Sequence, residues 1–258
     1  MQLDGKRIIV TGAARGIGAE VVRAYVAEGA AVAAVDVRDE LGQAVAEQAN
    51  AGGPGSAAYH HADVAVRAEV QAAFATAVAH LGGLDALVNA AGVERHTPAE
   101  HITDDEWRLI MEVNVYGTLF TNQAAFEPLR AAGGGSIMNF GSDAGLIPYR
   151  NGAHYSASKG AVHSWTRSIS GEWGAHGIRA NSVVPAVWTP MYDDHRATMS
   201  PAELAAHDEQ MKMVVPLGGK LGDPARDLAP VMVFLASDAS RFITGQIISV
   251  NGGAGQVR

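Results

Sequence analysis

Arg7-Ile8-Ile9-Val10-Thr11-Gly12-Ala13-Ala14-Arg15-Gly16-Ile17-Gly18 is the stretch whose reading decides the fold. Arg7 to Thr11 is rich in β-branched apolar residues and reads as a strand. Three glycines follow in the spacing G-x-x-x-G-x-G. Ile17, Val21, Tyr25 and Glu28 then recur at three or four, so a helix over 17–28 begins at once, with Gly29 as its natural C-cap. Glycines between a strand and a helix permit a tight turn and a close backbone approach. The helix N-terminus adds free N–H groups and a partial positive charge. The combination predicts a pyrophosphate cradle at Gly12, Arg15, Gly16, Ile17 and Gly18.

Working outward, short apolar runs alternate with longer helical patterns. Strands are expected over 31–35, 57–61, 84–88, 136–140, 178–184 and 247–250, and helices around 66–80, 104–131, 152–176 and 224–236. Such alternation predicts an α/β fold: a doubly wound parallel sheet with helices on both faces, whose ligands sit beyond the strand carboxyl ends. The strands read as continuous apolar runs, as strands covered on both faces should. The 258 residues suffice for one such domain, and no linker or repeat divides them. We expect a single domain over 1–258, with a cofactor half to about 140 and a catalytic helix and substrate lid beyond it.

Bulk properties exclude several classes. The net charge of −8 argues against a nucleic-acid partner or docking on anionic lipid. With no cysteine, disulfides, thiolate catalysis and Cys-ligated zinc are ruled out. The ten histidines form no spaced ligand set beyond the pair His60-His61, so no metal is expected. Apolar runs are too short to span a membrane, and the first residues lead straight into a strand rather than a signal peptide; the expected location is cytoplasmic.

The second strand ends at Asp36, eighteen residues after Gly18. An acid at this spacing can accept both hydroxyls of an adenosine ribose and would repel a 2′-phosphate. The expectation is NAD rather than NADP, although Arg15 or Arg38 could pair with a 2′-phosphate.

Tyr155 and Lys159 lie four apart near the start of a predicted helix, on one face. A free phenol titrates near 10, too high for a base at neutral pH. A nearby ammonium and the positive charge of oxidised nicotinamide would both favour phenolate. Ser142 is read as closing the fifth strand, at the sheet edge where chemistry is expected, with a hydroxyl able to hold a substrate oxygen. Asn114, in the preceding helix, could organise a water near Lys159.

Together these residues resemble the short-chain dehydrogenase/reductase family from end to end. The matching pieces are Thr11 to Gly18, Asp63-Val64, Asn89-Ala90-Ala91-Gly92, Asn114, Ser142, Tyr155 with Lys159, and Ile243-Thr244-Gly245-Gln246 with Asn251-Gly252-Gly253. The resemblance implies a Rossmann-type fold and a proton-relay tetrad of Asn114, Ser142, Tyr155 and Lys159. It implies adenine contacts at Asp63 and Val64, and support of the cofactor ribose and central sheet by Asn89, Ala90 and Gly92. Lys159 would also bind the nicotinamide ribose, with Pro185 and Thr189 near the carboxamide. Two departures stand out. Pro185 is followed by Ala186 rather than glycine, and Thr189 comes four residues after the proline instead of five, which weakens its assignment. Asn251 replaces a frequent aspartate.

The expected reaction is hydride transfer between NAD(H) and a secondary alcohol or ketone, with oxidation the favoured direction. Candidate substrate residues are Glu94 and His96 after the fourth strand, Tyr149 after Ser142, and Trp188, Met191 and Tyr192 in a lid running to about 215. Either the apolar lid residues contact a hydrophobic or ring-containing substrate, or they only pack the lid down. Alternatives are an NADP-dependent 3-oxoacyl-carrier-protein reductase and a catalytically idle nicotinamide-binding regulator. The resemblance also implies a homo-oligomer, usually a tetramer, built on the helices over 104–131 and 152–176 and on the last strand. Ala153, Ala157, Ala161, Val162, Trp165 and Ile169 supply more apolar surface than one sheet face needs.

Overall fold

The computed structural model describes residues 1–255. Strands β1 (Arg7–Thr11), β2 (Ala31–Asp36), β3 (Ser56–His61), β4 (Ala86–Asn89), β5 (Gly135–Phe140), β6 (Ile178–Pro185) and β7 (Ile247–Val250) form one sheet in the order β3-β2-β1-β4-β5-β6-β7. Every pairing is parallel. The order reverses direction between β1 and β4, which opens a crevice at their carboxyl ends.

The central strands β1, β2 and β4 are largely apolar because both faces are covered. Ile8 and Val10 point to one side, where Val21, Val22 and Tyr25 of α1 (Gly16–Ala27) and Met232, Val233 and Leu235 of α9 (Ala229–Ala236) close over them. Ile9, between them, points to the other side with Ala33, Val35 and Leu87. Val70 and Phe74 of α3 (Arg67–Leu81), Leu129 of α5 (Gly117–Ala131) and Ile169 of α6 (Ala153–Trp173) complete that second core. The two-residue period of a strand thus builds two cores from one run of five residues. Tyr25 is fully buried, its hydroxyl donating to the Met232 carbonyl at 3.0 Å, which pins α1 to α9. No helix among the described residues is long and apolar enough to cross a membrane.

The elements depart from the expected boundaries for identifiable reasons. Helix α2 (Asp39–Gly52) was not legible from apolar periodicity: its buried side is Gly42, Val45, Ala46 and Ala49, mostly too small to register. Gly42 is needed there, since a Cβ would lie 2.2 Å from the Tyr59 ring. The fourth strand begins at Ala86 rather than Leu84, and just before it the Asp85 carboxylate takes the Arg7 backbone N–H and guanidinium, each at 2.8 Å. The helix expected over 104–131 is α4 (Asp104–Met111) and α5 joined by a π-helical turn, Glu112–Tyr116. The one expected over 224–236 opens with another, Pro224–Leu228, before α9. The 152–176 helix ends as α6 at Trp173, followed by a 3₁₀ turn over Gly174–His176. The lid consists of two helices, α7 (Pro190–Arg196) and α8 (Pro201–Val214).

Candidate active site

The site sits at the carboxyl edge of the sheet. Gly12 follows β1 with φ +66°, and a Cβ there would come within 2.5 Å of the Ala91 nitrogen and 2.7 Å of the Ala90 carbonyl carbon. A Cβ on Gly18 would lie 2.1 Å from the Gly12 carbonyl oxygen. Only glycine lets the turn, the start of α1 and the segment after β4 converge this closely. Gly16, with φ +55°, faces Pro190 and Thr189 across the mouth. The first turn of α1 carries no acidic residue and no side-chain cap. Its N–H groups are free for an anion, so the cradle fits the pyrophosphate of a dinucleotide.

At the end of β2, the Asp36 carboxylate accepts from the Ala14 N–H at 3.0 Å and the Arg38 N–H at 3.1 Å. These two bonds fix the carboxylate against the glycine turn with lone pairs to spare for hydroxyl donors. Arg15, which could have met a 2′-phosphate, lies 3.5 Å from Asp194 of α7. Farther along, Asp63 Oδ1 accepts from the Ala65 N–H at 2.9 Å, and Val64 packs against Gly117, where a Cβ would be 2.9 Å from its Cγ2. The Asn89 side chain is spent internally: its amide donates to Asn139 Oδ1 at 2.8 Å, and its own oxygen lies 3.4 Å from the Thr11 hydroxyl. It braces β1, β4 and β5 at the point where the strand order reverses.

The four relay candidates converge. Tyr155 and Lys159 occupy one face of α6, with the ammonium 5.6 Å from the phenol ring centre. Lys159 is buried and donates to the Phe140 carbonyl at 2.8 Å. Asn114 is buried in the π-helical turn, a bulge that turns its side chain inward instead of along the helix face. Its oxygen accepts from the Val93 N–H and its amide donates to the Val93 carbonyl, both at 2.9 Å, and to the Ser158 hydroxyl at 3.0 Å. Gly92 leaves room beside both: a Cβ would stand 3.4 Å from Asn114 Oδ1 and 3.7 Å from Lys159 Nζ. Ser142 does not close β5, which ends at Phe140. It stands two residues beyond in extended backbone, its hydroxyl accepting from the Ala144 N–H at 3.1 Å.

Burial sets the electrostatics of the pair. In the protein alone, burial pushes the Tyr155 phenol above its ordinary range and the negative Glu94 pushes it further, while the Ser142 hydroxyl opposes them. Burial lowers the Lys159 ammonium to about 8, with Glu94 opposing. Burial is the largest influence on both groups, acting against the phenolate at Tyr155 and against the ammonium at Lys159.

His163, absent from the sequence reading, holds Ser142 in place. Its Nε2 donates to the Ser142 carbonyl at 3.0 Å, so its Nδ1 accepts from the Ser182 hydroxyl at 2.8 Å. Burial depresses its pKa, as this neutral tautomer requires. Its position four residues past Lys159, on the same helix face, is the signal that could have found it.

The shortened loop after Pro185 is not slack. Val187 forms a parallel bridge with Gly222, the Trp188 N–H donates to the Gly222 carbonyl at 2.8 Å, and the Gly222 N–H to the Ala186 carbonyl at 3.0 Å. Thr189 then caps α7, accepting from the Tyr192 N–H at 3.3 Å. Of the lid candidates, Trp188 packs edge-on against Tyr192 and donates to Asp193 at 2.8 Å, and Tyr192 bonds His207 at 2.7 Å. Met191 is half-buried. Glu94, Tyr149 and His96 do come together: the Tyr149 hydroxyl donates to Glu94 Oε1 at 2.6 Å, and His96 Nε2 lies 3.4 Å from the same oxygen. Asn251 pairs with Asp143 at 3.0 Å, tying the end of β7 to the residue after Ser142.

Known proteins resemble this chain over nearly its whole length. A family model described as enoyl-(acyl carrier protein) reductase matches residues 12–255. D-threitol dehydrogenase of Mycolicibacterium smegmatis is 37% identical over 252 residues, spanning 98% of this chain and 94% of that protein. A 3-alpha-(or 20-beta)-hydroxysteroid dehydrogenase of Mycobacterium bovis is 39% identical over 254 residues, spanning 98% and 90%. The crystal structure of levodione reductase superposes with a TM-score of 0.91 at 27% identity, covering 97% of this chain and 98% of that one.

Proposed function

Because the chain belongs to the short-chain dehydrogenase/reductase family, whose members among its relatives act on CH–OH groups, we propose that it oxidises a secondary alcohol to a ketone with NAD, Tyr155 accepting the hydroxyl proton. The observation that carries the reading is the convergence of Tyr155, Ser142, Lys159 and Asn114 beside the glycine turn. Gly12, Gly16, Gly18 and Asp36 would hold the dinucleotide, with Lys159 toward its second ribose. When bound, the oxidised nicotinamide supplies the hydride acceptor and a positive charge in the cleft. Ser142 holds the substrate oxygen, Tyr155 takes its proton, and Lys159 with Asn114 offers the proton a buried route away from the phenol. In the reverse direction the same hydroxyl donates.

Asp36 supports NAD over NADP, since a carboxylate held against the glycine turn would repel a 2′-phosphate and Arg15 is paired with Asp194. The protein would act as a single domain in the cytoplasm. A homotetramer is supported by Trp107, Tyr116 and Phe242, exposed on α4, on the π-helical turn and before β7. Light scattering that reports a monomer would refute the assembly.

Replacing Tyr155 with Phe tests the reaction. Turnover of secondary alcohols should fall by at least a thousandfold while NAD still binds, as followed by NADH fluorescence and by titration. Residual turnover within tenfold of the native protein would remove Tyr155 from the mechanism. Absence of turnover in the native protein across alcohols, sugars, steroids and hydroxyacyl thioesters would favour the idle regulator.

A further inference from the structure

One wall of the cleft is polar in a way that the relay does not need. Glu94 follows β4, and its side chain is 18% exposed. Its described side-chain contacts, from the Tyr149 hydroxyl at 2.6 Å and His96 Nε2 at 3.4 Å, both fall on Oε1 and none on Oε2. The cluster borders the proton acceptor: the Tyr149 ring centre lies 6.0 Å from that of Tyr155, and the carboxylate's charge reaches both Tyr155 and Lys159. His96 is stacked at 4.2 Å on His195 of α7, so the lid closes on this same cluster. The aromatic lid residues are meanwhile engaged with one another, Trp188 on Tyr192 and both beneath the Arg196 guanidinium.

A carboxylate at this place acts against the phenolate that the reaction needs, because two negative charges in a partly dry cleft repel. It has a use if it binds substrate. Resting on the reading of Tyr155 as the proton acceptor, the geometry points to Glu94 Oε2 as the acceptor for a second substrate hydroxyl, beside the carbinol being oxidised. The substrate class is then an uncharged diol or polyol. A carboxylated substrate is repelled by Glu94, and a mono-alcohol leaves Oε2 of this largely buried carboxylate without a donor. A hydrogen bond to a charged acceptor discriminates by roughly tenfold to a hundredfold, and a site built for a hydroxyl rejects the analogue lacking it.

The test uses matched pairs, cyclohexane-1,2-diol against cyclohexanol and 2,3-butanediol against 2-butanol, with the native protein and Glu94→Gln. The native kcat/KM ratio of diol to mono-alcohol should be at least tenfold, carried mainly by KM, and should fall at least tenfold in the variant. Calorimetric titration of the same pairs onto Tyr155→Phe and onto Glu94→Gln/Tyr155→Phe, each loaded with NADH, reads binding without turnover. Tighter binding of diol than mono-alcohol in the first, lost in the second, supports the assignment even if the assumed reaction is wrong. Equal handling of diol and mono-alcohol by the native protein in turnover and by Tyr155→Phe in titration, or an unchanged ratio in the variant, overturns it while leaving the oxidation itself intact.

Discussion

Lys159 is a buried cation, and its cost can be read from stability without any substrate. Its pKa falls from an ordinary 10.5 to about 8 through burial, at 6% exposure. At ~1.4 kcal/mol per pH unit, carrying the charge in the folded state costs roughly 3 kcal/mol relative to the unfolded chain. The sign follows from proton counts. Between about 8 and 10.5 the unfolded chain keeps the lysine proton and the folded one has released it, so stability rises with pH. Below about 8 both states hold the proton and the full penalty applies. Lys159→Met removes the titration and keeps most of the side chain's bulk. It also removes the bond to the Phe140 carbonyl, so the absolute difference between the two proteins mixes two effects. The change of that difference with pH contains only the titration. From pH 7 to pH 9 the native protein should gain about 1.4 kcal/mol on the variant. Urea unfolding of both proteins without cofactor, at equal protein concentration and at the two pH values, measures it. A difference that stays constant within about 0.5 kcal/mol would show that Lys159 is solvated, and the desolvated relay described above would be wrong.

Asp36→Ala should lower the kcat/KM preference for NAD over NADP by roughly tenfold to a hundredfold, the worth of hydrogen bonds to a charged acceptor; a preference that does not move would assign cofactor choice elsewhere. Gly12→Ala places a Cβ within 2.5–2.7 Å of backbone at positive φ, and should destabilise by about 3 kcal/mol or more as well as abolish dinucleotide binding. A folded, binding-competent Gly12→Ala protein, by thermal melt and NADH titration, would contradict the packing of the glycine turn.

What the sequence made legible was whatever is local. The strand, glycine turn and helix at Arg7 to Gly18 are contiguous, and Tyr155 and Lys159 share a helix turn, so spacing alone carries them. Ser142 and Asn114 were found by position relative to elements, and the details of both needed the fold. Ser142 lies past the strand because its hydroxyl caps a turn, and Asn114 faces inward because the helix is π-wound around it, a register change that no 3.6-residue pattern announces. His163 went unread because its role depends on a backbone carbonyl, and main-chain acceptors leave no letter in a sequence. The same limit explains the substrate wall. Glu94, His96, Tyr149 and His195 come from three segments that only the assembled sheet and lid bring together, and the residue types of the lid do not reveal those partners. The relay is thus set largely by short-range spacing and the substrate face by long-range contacts. Substitutions at the second can change what is bound while the proton chemistry at Tyr155 stays the same.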